Sequence, residues 1–244
     1  MNLLESMQKR HAVRDYNDEP LTAEQVNTLD EAIAAANAKQ GLDIQLIHDV
    51  DDAFGGCPTH YGRFKNVHNL IALIGTDSPS NEAILDEKVG HAGQLLALTA
   101  VSLGLDTSWV VLHETADHDG AWTPAEGERM PAAIALGHGN RPGRPHRSKP
   151  AKELGAVETG DYANAPDWFK RGVEASMLAP SALGKQPFRF TLLADGRTVR
   201  AEALEGVQPE IGLGIAKLHF ELAARAPIAS CGHSRSIVLC RLSL

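Results

Sequence analysis

Cysteine is scarce in this chain: Cys57, Cys231 and Cys240 are the only three in 244 residues, and they form no CxxC pair. An odd, dispersed set excludes a disulfide framework and a structural zinc as organising devices. No apolar run reaches the roughly 20 residues that span a bilayer. The first residues, MNLLESMQKR, lack the charged-then-apolar order of a secretory leader, so the expectation is a cytoplasmic protein with no membrane partner. Positive charge is outweighed, with 23 Lys and Arg against 31 Asp and Glu and a formal net charge of −8, which argues against a broad nucleic-acid surface. Several chemical signatures are also missing. Ser181 stands in APSAL rather than a GxSxG elbow, with no ordered His and Asp partners in view. The glycines of GLGIAK, 212–217, lack the preceding strand and third glycine of a dinucleotide fingerprint. His138 and His146 flank GHGNRPGRPH without supporting carboxylates, so no metal site is expected.

What is present is an ordinary globular composition, 43% hydrophobic and 22% charged, long enough for one large domain or two small ones. The charge is unevenly spread: RPGRPHRSKPAK, 141–152, carries five cations and no acid, and no acid follows Glu221. A first helix is expected over 2–10. Thr22 and Gln25 have capping-box spacing, Leu21 and Val26 that of a hydrophobic staple, and Val26, Leu29, Ile33 and Ala36 form a helical stripe. Residues 43–48 alternate like a strand, 70–75 (LIALIG) form a continuous apolar run suited to a central strand, and 132–137 form another strand candidate. Between them, 89–103 are apolar nearly all round and rich in Ala and Gly, as in a buried helix packed closely on its neighbours.

After a Gly/Pro/Arg-rich connector the pattern restarts. A helix is expected over 167–178, paired strands over 188–193 and 198–204 around Asp195-Gly196, and a second small-residue helix over 211–224, where His219 reads as a core histidine. The recurrence of helix, strand and small-residue helix suggests a duplicated unit.

Three segments carry candidate chemistry, and each has a plain structural alternative. In KRHAVRDY, Arg10 and Arg14 flank His11 at a spacing that lets two guanidinium groups converge on a phosphate from a helix face or end; the alternative is complementation of a helix dipole. In LAPSALGKQPFRF, Pro180 must end the preceding helix, Ser181, Ala182 and Gly184 leave backbone amides accessible to a flat ring, and Gln186 offers an amide to read its edge; the alternative is a helix–strand turn. In LGLDTSWV, Gly104 allows a sharp helix exit and Asp106, Thr107 and Ser108 make a polar turn before Trp109; the alternative is a C-cap and a buried Trp.

Taken in this order, RHAVR, LGLDTSW and APSALGKQPF resemble the nitroreductase family of flavin mononucleotide (FMN) enzymes. The APS segment lies late in the chain, which resembles the subgroup in which two nitroreductase-like halves are fused. That resemblance implies an α+β fold, a mixed, largely antiparallel central sheet wrapped by helices. It also implies an internal pseudo-dimer, with halves at 1–150 and 151–244 forming one compact unit, and a chain that is monomeric or weakly dimeric. Residues 34–44, AAANAKQGLDI, stand where the first half would carry its own APS loop and lack its Pro-Ser.

The resemblance further implies that Arg10, His11 and Arg14 hold the FMN phosphate, helped by Arg147 and Lys149 and less by Arg144. Backbone N–H groups from Thr107 through Ser108, Trp109 and Val110 to Val111 would face the N5 side of the ring, and Pro180, Ser181, Ala182, Gly184 and Gln186 would lie beside it. No side chain is expected to act as a catalytic acid or base. The implied activity is two-electron reduction of a nitroaromatic or quinone-type acceptor by NADH or NADPH. A flavin carrier without fast turnover and a degenerate pseudoenzyme serving as an interaction module are the alternatives. Ala12 in place of Ser, Gly184 in place of Asn and Phe188 in place of Trp depart from the family pattern and imply weaker flavin contacts.

Overall fold

The computed structural model describes residues 1–78, 80–114, 118–145 and 147–225; His146 and the cysteine-bearing stretch from 226 onward lie outside these. The chain divides into two compact units at Pro145, where the sequence had suggested a junction at 150.

The first unit contains α1 (Leu3–Lys9), α2 (Ala23–Gln40), β1 (Gln45–Ile47), β2 (Asn69–Thr76), α3 (Glu82–Ser102), β3 (Asp106–Val110) and β4 (Glu128–Gly137). Both early helices open with capping boxes. The Asn2 and Glu5 side chains each accept from the other's backbone N–H, at 2.9 and 3.0 Å, and those of Thr22 and Gln25 do the same at 3.2 and 2.9 Å. Gly41, with φ +64°, ends α2, and the Asn37 side chain holds Ile44 by both its N–H and its carbonyl, which directs the chain into β1. Residues 34–40 are therefore the last turns of a helix.

The four strands form an antiparallel sheet in the order β1-β2-β4-β3. Leu70–Ile74 in β2 and residues 133–136 in β4 are fully buried, as their unbroken apolar runs require. Helix α3 is longer than expected and packs on β2, β3 and β4, and α1 and α2 pack on it. Its Gly93 admits Trp109 of β3: a Cβ there would lie 2.6 Å from the indole and 2.7 Å from Leu73. The indole N–H donates to Gln94 at 3.0 Å.

The second unit contains α4 (Ala151–Leu154), β5 (Gly155–Val157), α5 (Asp167–Ser176), β6 (Phe188–Leu192), β7 (Val199–Ala203) and α6 (Pro209–Ala224). Strand β5, which the sequence reading missed because it is only three residues long, pairs parallel to β6, and β7 pairs antiparallel to it. Helices α5 and α6 pack through small residues: a Cβ on Gly172 would meet the Phe220 ring at 2.6 Å, and Ser176 donates to Gly172 and Ala216 carbonyls. Phe190 stacks on Phe220 at 4.6 Å between centroids, and Phe169 meets Phe220 edge-on. His219 is fully buried with Nδ1 3.0 Å from the Ala175 carbonyl, a core histidine as expected. In both units the order is helix, strand, antiparallel partner strand, small-residue helix: α2-β1-β2-α3 in the first and α5-β6-β7-α6 in the second.

Candidate functional site

The arginine segment is not helical. Helix α1 ends at Lys9, and Arg10 caps it in an extended conformation with φ −63° and ψ 121°. The following residues run beside two partners. Ala12 bridges Thr107 of β3 in parallel, with Val13 N donating to the Thr107 carbonyl at 3.1 Å, and Asp15 bridges Lys65, with Lys65 N donating to the Arg14 carbonyl at 2.9 Å. Strand β3 is the sheet edge, so this segment extends the sheet at the place where Thr107 lies. Asp106, Thr107 and Ser108 are thus strand residues rather than the expected polar turn. The turn is confined to Leu103 and Gly104, the latter at φ +87°, and the chain enters β3 at Asp106.

The side chains gathered here have an unusual balance. Arg10 is 4% exposed, yet its Nε and Nη1 find no hydrogen-bond acceptor among the described residues; nor does Nε of Arg14 or Oγ1 of Thr107. Burial, and after it the neighbouring Arg14 cation, lower the Arg10 guanidinium to about 10, with Tyr16 opposing. It stays a cation at neutral pH all the same. A buried donor left without an acceptor costs on the order of 1–3 kcal/mol, and more for a charged group, so this cluster costs the fold stability.

Arg14 is wrapped by a loop the sequence reading did not single out. Its Cζ lies 5.6 Å from the Phe64 ring centroid, and a Cβ on Gly62 would come within 3.0 Å of its Nε. The Tyr16 hydroxyl donates to the Val13 and Ala135 carbonyls at 2.7 and 3.0 Å and fastens the segment to β4. His11 is half-buried, with Nδ1 3.0 Å from the Lys9 carbonyl. Gly143 of the basic connector lies so close that a Cβ would be 2.7 Å from that of His11 and 2.8 Å from the Ala12 carbonyl. Arg144, ranked below Arg147 and Lys149 on sequence, follows directly. Of the remaining β3 residues, Ser108 and Val110 are buried and Trp109 is half-buried, while the Val111 carbonyl accepts from His60 N at 3.0 Å.

In the second unit, the loop after α5 is held rigid from within. Leu183, Gly184 and Gln186 all have positive φ, +53°, +66° and +46°. Gln186 is 2% exposed, and its side chain is fully used: Nε2 donates to the Met177 and Ala179 carbonyls at 2.9 and 3.2 Å, and Oε1 accepts from Lys149 N at 2.7 Å. The expectation that Gln186 reads a ligand edge gives way to an internal brace. Lys149 belongs to the same brace, since its Nζ donates to the Gln186 carbonyl at 3.2 Å. Ser181 Oγ accepts from Gln186 N at 2.8 Å. What the loop leaves open is backbone: Pro180, Ser181 and Ala182 are half-buried, Gly184 is exposed with nothing within 4 Å of a built Cβ, and Leu183 stands 61% exposed. Arg147 is exposed on the connector.

Residues 2–224 match the family model described as "Putative TM nitroreductase". The chain belongs to that family. A crystal structure of a "putative nitroreductase" from Thermotoga maritima is similar over 92% of this chain and 84% of its own, at 21% identity and a TM-score of 0.59. A nitroreductase family protein from Streptococcus pneumoniae covers 63% of this chain and 98% of its own, at 15% identity and a TM-score of 0.50. A third, from Desulfovibrio desulfuricans and solved in complex with FMN, covers 63% of this chain and 95% of its own, at 23% identity and a TM-score of 0.48. A search of the curated proteins finds no match. The first two likenesses establish the nitroreductase-like α+β fold.

Within this family member, the first unit pairs Ala12 with Thr107 and sets Arg10 near Arg14, and the second brings Lys149 to the 180–186 loop. Phe64, Gly62 and Tyr16 join the arginine site through contacts that link distant parts of the sequence, which no local spacing could reveal.

Proposed function

We propose that this member of the nitroreductase family is an FMN-dependent NAD(P)H oxidoreductase that reduces nitroaromatic or quinone-type small molecules by two electrons. The reading is carried by one observation: Arg10 and Arg14 lie together, Arg10 buried, with guanidinium nitrogens that meet no acceptor among the described residues. Such a cluster fits a phosphate monoester, whose oxygens accept bidentate, charge-assisted bonds. When bound, FMN supplies a ring that accepts hydride from a nicotinamide and returns it to a second substrate.

The residues of the chain have supporting roles in that chemistry. Arg10 and Arg14 grip the phosphate, and Arg144 and Arg147 add positive charge. The backbone N–H groups of residues 107–111 polarise the N5 side of the ring. The loop from Pro180 to Gly184 offers backbone amides to the flat ring, and Gln186 and Lys149 keep that loop in one conformation. No side chain need transfer a proton, because water supplies it. The recurring order of elements in the two units supports a duplicated nitroreductase-like half, so that one chain carries the parts usually divided between two copies.

The test uses purified protein loaded with FMN and mixed anaerobically with NADH or NADPH. Bleaching of the flavin band within seconds is the result expected of the enzyme. Flavin that binds but stays oxidised supports a carrier, and no binding of FMN supports the pseudoenzyme. Arg14→Ala should weaken FMN affinity by on the order of tenfold to a hundredfold, the worth of a charge-assisted contact; an unchanged affinity would show the phosphate site to be misplaced.

A further inference from the structure

Several buried hydroxyls among the described residues have an acceptor within the chain. Ser6 donates to the Asn2 carbonyl at 3.1 Å, Ser176 to Gly172 at 2.9 Å, and Ser108 approaches the Trp109 carbonyl at 3.4 Å. Thr107 and Tyr162 depart from this: Thr107 is fully buried, and neither its Oγ1 nor the Tyr162 hydroxyl has a partner among the described residues. A strand position alone does not call for that hydroxyl, since valine has the same shape and the same preference for extended backbone.

The position of Thr107 supplies the reason. Bridge partners in paired extended segments send their side chains to the same face, and residues two apart in one segment share a face. Thr107 is bridged to Ala12, and Arg10 and Arg14 lie two residues to either side of Ala12. The pairing rule therefore puts the Thr107 side chain on the side of Ala12 and, by alternation, of Arg10 and Arg14, and all three carry donor atoms without a partner among the described residues. Three such donors suit a tetrahedral oxyanion better than two cations alone.

We infer that the Thr107 hydroxyl is a third ligand of the Arg10–Arg14 anion site, donating to an oxygen of a bound phosphate monoester. The inference rests on the flavin reading only for the identity of the ligand; a phosphate group of another molecule would engage the same donors. Thr107 is a binding residue here through its side chain, a role separate from that of its backbone along β3.

Thr107→Val removes the hydroxyl and keeps the shape. Without ligand, this variant should melt at the same temperature as the parent or higher, because an orphaned polar group has gone. Its affinity for FMN should fall about tenfold to a hundredfold while its affinity for riboflavin, which lacks the phosphate, stays the same. Thr107→Ser should retain FMN affinity, and Ala12→Ser combined with Thr107→Val should regain much of it by moving the hydroxyl to the bridge partner. Inorganic phosphate should raise the melting temperature of the ligand-free parent more than that of Thr107→Val. An unchanged FMN affinity in Thr107→Val, or equal losses for FMN and riboflavin, would overturn the inference. If the parent is stabilised by phosphate through Thr107 yet binds neither flavin, the anion site stands and the flavin reading falls.

Discussion

A guanidinium taken out of water without a carboxylate beside it destabilises the protein that holds it, and Arg10 does so next to a second cation. On the proposed reading Arg10 serves a ligand rather than the fold, so that stability and binding should separate at this residue. Arg10→Met preserves the length of the side chain and removes the charge. Thermal melts of the ligand-free variant should show a midpoint equal to or above the parent's, while flavin titration should show FMN affinity reduced by about a hundredfold. A midpoint several degrees lower would mean that Arg10 is a structural residue. The pH dependence follows from the same group. Burial lowers Arg10 to about 10, so the cation persists below that pH and is lost as pH rises through it. A phosphate monoester sheds its second proton near about pH 6. FMN affinity should therefore be flat between these limits and decline on both sides; a continued rise above the upper limit would contradict an arginine-held phosphate.

At the scale of elements, one feature in each unit holds candidate residues in place. The 180–186 loop follows α5 through three positive φ angles, and Gln186 ties it down by five hydrogen bonds, three through its side chain, one from its backbone N–H to Ser181 and one from Lys149 to its carbonyl. Gln186→Leu should cost roughly 2–4 kcal/mol in urea unfolding, since buried backbone groups lose their partners; a loss below about 0.5 kcal/mol would show that the brace is incidental. Strand β3 is set by the fit of Trp109 against Gly93. Gly93→Ala should cost about 1–3 kcal/mol through overpacking and alter Trp109 fluorescence; unchanged fluorescence would place the indole elsewhere.

The helices were largely legible in the sequence. The Thr22 cap, the apolar run of β2 and the glycine- and alanine-rich stretches of α3 and α6 all follow local rules of capping and periodicity, whereas the Asn2 cap was not read. What was not legible depended on distant partners. Thr107 reads as part of a polar turn until β4 pairs with it, and Gln186 reads as an exposed amide until Met177, Ala179 and Lys149 surround it. Arg10 and Arg14 have the spacing of a helix face, but the helix stops first and the extended segment keeps them on one side by a different period.

For the whole molecule, family membership and fold are those of the nitroreductase family, and the proposed activity depends on one buried, cationic and unsatisfied site in the first unit. The two units repeat an order of elements but not a site: the arginine segment occurs in the first and the positive-φ loop in the second. On the proposed reading, one such set of residues calls for one flavin per chain rather than two. Equilibrium dialysis of the purified chain against FMN measures that number directly. The account expects saturation at about one FMN per chain, with the flavin absorbance retained by the protein and lost in the Arg10→Met variant. A chain that retains no FMN at any concentration tested would contradict it.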